Sequence, residues 1–223
     1  MSKLKLSLLL IIMSAVSIPA LAGEAVVKRV PAGAVAFHFV FDLSYVPAPP
    51  EFVGYLAFIE GVDSPLFAGE PSKDTAYFTV RVTQYLPPPT RLPVEPDPAL
   101  NTQLIMPGGQ FTVFYNSSPV PRDWNDPATF SEGVPIAVFE ESALLGTEAF
   151  ANFPGVSFSV FSARLIDSTP VYFNGQKIDF KKLVPNGVTT TNFGNALRFL
   201  PDGRPGASGG GTAIAIGGNL RDK

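Results

Sequence analysis

Val171-Tyr172-Phe173-Asn174-Gly175-Gln176-Lys177-Ile178-Asp179-Phe180 places two short β-prone runs on either side of an Asn-Gly pair. Asn and Gly accept the positive φ angles of a type I′ turn, whose twist matches two paired antiparallel strands. The stretch predicts a hairpin and, with it, antiparallel β structure. Nothing on it looks reactive, so it speaks to fold and not to chemistry. It follows Val156–Ile166 closely. There Val156, Phe158 and Val160 alternate with Ser157 and Ser159. The two stretches together predict one antiparallel meander.

Working back from the hairpin, Val134–Phe139 reads as a strand, and Pro135 places it at an edge or a strand start. Glu140–Phe150 is the best helix candidate on its Glu, Ala and Leu content, although Gly146 weakens it. Continuation of the strand is the alternative. Gln103–Met106 and Gln110–Tyr115 have strand character around Pro107-Gly108-Gly109, a hairpin-like junction. In Thr75–Tyr85, Phe78, Val80 and Val82 alternate with polar residues, giving one core face and one wet face. Phe52–Ile59 is another run, with Gly54 at an expected bulge. Val35–Leu43 puts Val35, Phe37, Phe39, Phe41 and Leu43 on one face. Leu86–Ala99 carries six prolines and predicts a stiff, extended, polyproline-like connection.

On the C-terminal side, Val188–Phe193 predicts a short strand. Asp202–Gly211 reads as a Gly-rich loop, and Thr212–Ile216 as a small closing strand. Roughly nine to eleven strands with turn signals between them predict one all-β domain over residues 23–223. Its expected form is an antiparallel barrel or sandwich with long Pro/Gly-rich loops and at most one short helix.

Residues 1–22 read as a cleaved signal peptide. Lys3 and Lys5 precede an apolar run from Leu6 to Val16, and Ala20-Leu21-Ala22 offers small residues at the positions a signal peptidase reads. The expected destination is secreted or periplasmic, with no transmembrane span after cleavage. Lys3 and Lys5 leave with the signal, so 16 Lys plus Arg become 14 against 19 Asp plus Glu, a net charge of −5. That balance argues against nucleic acid as a partner. The absence of cysteine excludes disulfides, thiolate metal sites and cysteine nucleophiles. The 19 phenylalanines argue for a packed core and against disorder.

Few residues carry candidate chemistry. His38 is the single histidine, and it shares a strand face with Asp42, an orienting carboxylate that a general base would want. No Gly-x-Ser-x-Gly nucleophile motif accompanies it. The single Trp, Trp124, sits in a polar loop, where it could stack on a sugar ring or pack as core. Asp123 and Asp126 flank it and are weak calcium candidates without regular Asp-x-Asp spacing. No cofactor is expected and no catalytic set is identifiable. The leading expectation is a non-catalytic protein binding a small apolar or carbohydrate ligand, with Trp124 and His38 as the ligand-binding candidates. The alternatives are a structural or surface-interaction protein that self-associates as a homo-oligomer or binds a protein partner, and a carboxylate-dependent enzyme acting on a sugar or small molecule.

Overall fold

The computed structural model describes residues 25–44, 51–83, 90–92, 100–105, 109–149, 155–199 and 205–217. The signal segment 1–22 lies outside them, as do positions 86–89 and 93–99 of the proline-rich stretch. In chain order the strands are β1 (Ala25–Val26), β2 (Val35–Ser44), β3 (Glu51–Ile59), β4 (Phe78–Thr83), β5 (Thr90–Leu92), β6 (Leu100–Ile105), β7 (Gln110–Tyr115), β8 (Val134–Ala149), β9 (Gly155–Ser168), β10 (Val171–Phe173), β11 (Gln176–Ile178), β12 (Val188–Phe199) and β13 (Pro205–Ala215). One helical turn, α1 (Phe180–Leu183), lies between β11 and β12.

Eight antiparallel strands close into a barrel in the order β8-β7-β4-β3-β2-β13-β12-β9, with β9 pairing back onto β8. The stagger can be followed along one row of partners. It leaves β8 at Val138, passes Thr112, Arg81, Val53, Asp42, Ser208, Asn195 and Val156, and returns to β8 at Ala149. A row that returns so far along its own starting strand requires strongly tilted strands. It also explains the length of β8. Its first half pairs with β7, its second half pairs with β6, and β9 covers the other side from Ala137 to Ala149.

Several sequence expectations are corrected here. Glu140–Phe150 is not a helix: through Ala149 it is strand, because ladders on both sides take up its backbone groups and override propensity. The junction around residue 107 does not join a hairpin, since β6 and β7 each pair with β8 and not with each other. From Pro205 on, the expected Gly-rich loop is β13, a barrel strand held between β2 and β12. Its glycines serve close strand approach. A Cβ on Gly209 would run into the Phe193 carbonyl, and one on Gly194 into the Ser208 carbonyl. Within the proline-rich stretch, Thr90–Leu92 pairs with β6 as an edge strand.

The Asn174-Gly175 turn forms as read, with φ of 47° and 81°. However, β10 and β11 do not continue the meander from β9. Pro170 has no N–H to extend that ladder. The hairpin instead joins β1, parallel to β11, in a separate three-stranded sheet. That sheet and α1 plug one end of the barrel with buried Phe173, Ile178, Phe180, Leu183 and Val184. The Phe173 ring meets Phe78 at 5.0 Å, and Phe180 reaches Phe37 and Phe139 at 6.1 Å each. Above the plug, Phe37, Phe39, Phe111, Phe139 and Phe161 form a continuous aromatic network with ring centroids 5.8–6.4 Å apart. Phenylalanine thus fills this part of the barrel and supplies its hydrophobic stabilisation.

Candidate functional site

The far end of the barrel, where β2 ends and β13 begins, is built differently. Two inner ladder rows show it. One runs Phe41, Gly209, Gly194, Ser157, and the other Phe39, Gly211, Asn192, Ser159. Each begins on a phenylalanine of β2 and then crosses three small or polar residues. Ser157, Ser159, Gly194 and Gly209 are half-buried, whereas Phe37, Phe78 and Phe111 lower in the barrel are fully buried. An aromatic wall, with Phe41 stacked on Phe52 at 4.8 Å, therefore faces a small, polar wall.

At the start of β9 the polarity is the reverse of what alternation ordinarily gives, before Phe161 and Ala163 restore an apolar inner face. Ser157 and Ser159 face inward, and Val156 and Phe158 stand outside at 58% and 48% exposure. Its neighbour β12 does the same: Asn192 is inside and 3% exposed, and Phe193 is outside and 62% exposed.

Three interior side chains on this wall hold unpaired polar atoms among the described residues. They are both carboxylate oxygens of Glu141, the Thr190 hydroxyl and the Asn192 Oδ1. Glu141 follows Ala137 and Phe139 on the inner face of β8, opposite Ala163, which is itself opposite Val188. Thr190 comes two residues after Val188 and Asn192 two after that. Asn192 also donates through Nδ2 to Ser159 Oγ at 3.0 Å. Burial pushes the Glu141 carboxyl up to about 7. The Gly109 amide opposes this shift, but it does not reach hydrogen-bonding geometry with either oxygen. Near neutral pH, Glu141 can thus donate as an acid or accept as a carboxylate.

Trp124 lies on the outer flank. It stacks on buried Phe130 at 4.8 Å and approaches Tyr55 at 6.4 Å. The loop carrying it is fastened to the β3–β4 connection. Asp74 accepts from the Arg122 amide and from Lys73 Nζ, both at 2.7 Å, and the Arg122 guanidinium donates to the Lys73 carbonyl. These donors hold the Asp74 carboxyl below its usual range. Asp123 and Asp126 are engaged in local turns: Asp123 accepts from the Asn125 amide, and Asp126 caps a 3-10 turn at Ala128. No group of three metal-ligating side chains forms among the described residues.

His38 is exposed on the outside of β2. Its Nδ1 pairs with Thr212 Oγ1 at 2.9 Å, and its ring lies 5.5 Å from Phe58. Asp42, four residues along β2, is buried at 3% exposure. Neither His38 nor Trp124 reaches the barrel interior. The interior set was not picked out from sequence, although one signal was available. Ser157 and Ser159 alternating with Val156, Phe158 and Val160 are what an inward polar face looks like, once Val156 and Phe158 are allowed to be outside. No family model, curated protein or solved structure matches the chain.

Proposed function

We propose that this is a non-catalytic binding barrel, secreted or periplasmic, that takes a small ligand into the end away from the plug. The reversed polarity where β9 and β12 pair, at Ser157–Ser159 and Asn192–Phe193, carries the reading. Placing serine and asparagine inside and phenylalanine outside costs stability, and ligand sites are where folds accept such costs. The ligand that fits presents a flat apolar face to Phe41 and Phe52 and hydroxyl groups to Ser157, Ser159, Asn192 and Glu141. That is the chemistry of a sugar ring or of a hydroxylated apolar molecule. Hydroxyls both donate and accept, so they suit the Asn192 Oδ1, the Thr190 hydroxyl and either form of Glu141. The aromatic packing beneath limits the ligand to a small one.

The test is calorimetric titration with a panel of mono- and disaccharides and hydroxylated apolar compounds, alongside native mass spectrometry of the purified protein. A bound compound whose affinity falls at least about tenfold in Ser159→Val, with the fold intact, supports the site. Binding that is unchanged in Ser159→Val, or no binding anywhere in the panel, counts against it.

A second reading concerns the outside of the same wall. Leu145, Val156, Phe158 and Phe193 are exposed on the adjacent strands β8, β9 and β12, and Phe158 sits directly opposite Phe193. An uncharged patch of this kind suits association of two copies about a two-fold axis.

A further inference from the structure

The plugged end of the barrel carries a feature unrelated to the interior site. A shallow cleft of about 510 Å³ lies between the segment following β1 and the turn α1. Val26, Val27, Lys28 and Arg29 line it from one segment, and Lys181, Lys182 and Pro185 from the other. The backbone fixes both walls. Val27 N–H donates to the Lys177 carbonyl at 3.1 Å, and Val30 N–H donates to the Leu183 carbonyl at 2.9 Å. The four cationic side chains are exposed, and none is in an ion pair among the described residues.

Four like charges around one cleft repel one another, the more so at low ionic strength. The chain as a whole is acidic, with a net charge of −3, so the cluster is not a by-product of composition. Capping of α1 explains little of it. The turn is four residues long, and its buried Asp179 is engaged by the Lys181 amide at 2.9 Å and the Ser168 hydroxyl at 3.2 Å. Lys177, which is close by in sequence, is placed over the Tyr172 ring at 5.5 Å and does not line the cleft.

We infer that this cleft is an anion site, and that its ligand is a phosphoryl group attached to an apolar or neutral body. Cations on both walls can share the charge of a phosphate, with charge-assisted hydrogen bonds from the guanidinium and ammonium groups. Val26, Val27 and Pro185 would take the uncharged part. The phosphoryl group can belong to a soluble phosphate ester or to a phospholipid headgroup, and both offer the same chemistry to the cleft.

The experiment uses the whole protein and two probes: inorganic pyrophosphate by calorimetry, and co-sedimentation with phosphatidylcholine vesicles doped with phosphatidic acid. Variants are Lys181→Gln combined with Lys182→Gln, and Arg164→Gln as a control. Arg164 is an exposed cation that does not line the cleft and is paired with Glu140 at 2.7 Å. The expected result is saturable binding of at least one probe that weakens about tenfold or more in the double variant, is unchanged in the control, and declines with added salt. Pyrophosphate binding assigns a soluble ligand; vesicle binding without it assigns a headgroup. Binding of neither probe overturns the inference, and so does an equal loss in the Arg164 control, which would mean diffuse charge rather than a cleft.

Discussion

Asn192 donates to Ser159 across the β9–β12 ladder at 3.0 Å, inside a barrel otherwise packed with phenylalanine. Two residues earlier on the same inner face, the Thr190 hydroxyl is fully buried and has no partner among the described residues. Valine nearly matches threonine in shape and removes the hydroxyl. Thr190→Val should therefore raise stability by about 1 kcal/mol, because a buried unpaired hydroxyl costs about that much or more. Urea unfolding reads the change as a higher midpoint at constant slope. A drop in stability would mean that the hydroxyl is paired in the folded protein.

Glu141 should make stability depend on pH in a defined window. Its carboxyl rises from an ordinary 4.5 to about 7 on folding, with burial as the cause. The folded state then holds a proton that the unfolded state has released. Stability from this group is complete below about pH 4.5, falls as pH climbs toward 7, and levels off above that. The full span corresponds to about 3 kcal/mol, as an order of magnitude. Glu141→Gln keeps the shape and removes the titration. Its stability should exceed that of the parent at pH 8 and converge with it near pH 4. Parallel stability curves for the two proteins between pH 4 and 8 would refute the buried acid.

The all-β character was legible because it rests on local signals: alternation in Val35–Leu43 and in Phe78–Val82, and the turn at Asn174-Gly175. Closure was not legible. It depends on a long-range stagger that brings Ala149 back to Val156, and strand order leaves no trace in alternation. The glycines of β13 misled for a physical reason. Gly usually marks a loop, but here Gly209 lets β13 press against the Phe193 carbonyl. The interior site was hidden for a related reason. Sequence patterning assigns apolar side chains to the core, and β9 and β12 turn Phe158 and Phe193 outward. His38 stood out as the single histidine on a face with Asp42, and Trp124 as the single Trp in a polar loop, and neither signal says whether a side chain enters the barrel.

The outer loop should owe its order to Phe130. This side chain is fully buried under the loop, its carbonyl accepts from Thr79 Oγ1 at 2.7 Å, and Trp124 stacks on its ring. Phe130→Ala should cost about 3–5 kcal/mol, whereas Trp124→Ala, which removes a half-buried ring, should cost about 1–2 kcal/mol. In Phe130→Ala, the emission of Trp124 should shift to the red as the indole loses its stacking partner. Emission unchanged in that variant would show that other contacts hold the indole.

The plug should be separable from the barrel in its response to mutation. Gly175 has a φ of 81°, and no atom lies near where a Cβ would go, so the cost of Gly175→Ala is backbone strain alone. A loss of about 1–2 kcal/mol is expected. Hydrogen exchange should quicken at Tyr172–Ile178 while the amides of β2 and β7 keep their protection. Equal acceleration in the barrel strands would mean that plug and barrel open as one unit.

The exposed aromatic pair gives the last prediction. Phe158 and Phe193 face each other across the β9–β12 ladder on the outer surface, at 48% and 62% exposure. If two copies meet there, each phenylalanine is buried in the dimer, and a two-fold axis makes every change count twice. Phe193→Ser should then shift the monomer–dimer midpoint to higher concentration by about tenfold or more, since burial of an aromatic side chain is worth about 1.5–3 kcal/mol. The folded monomer should lose little, because Phe193 is already 62% exposed within it. Sedimentation velocity across a concentration series resolves the two cases. A parent protein that stays monomeric throughout, or a Phe193→Ser variant that dimerises as the parent does, would rule this face out as the contact.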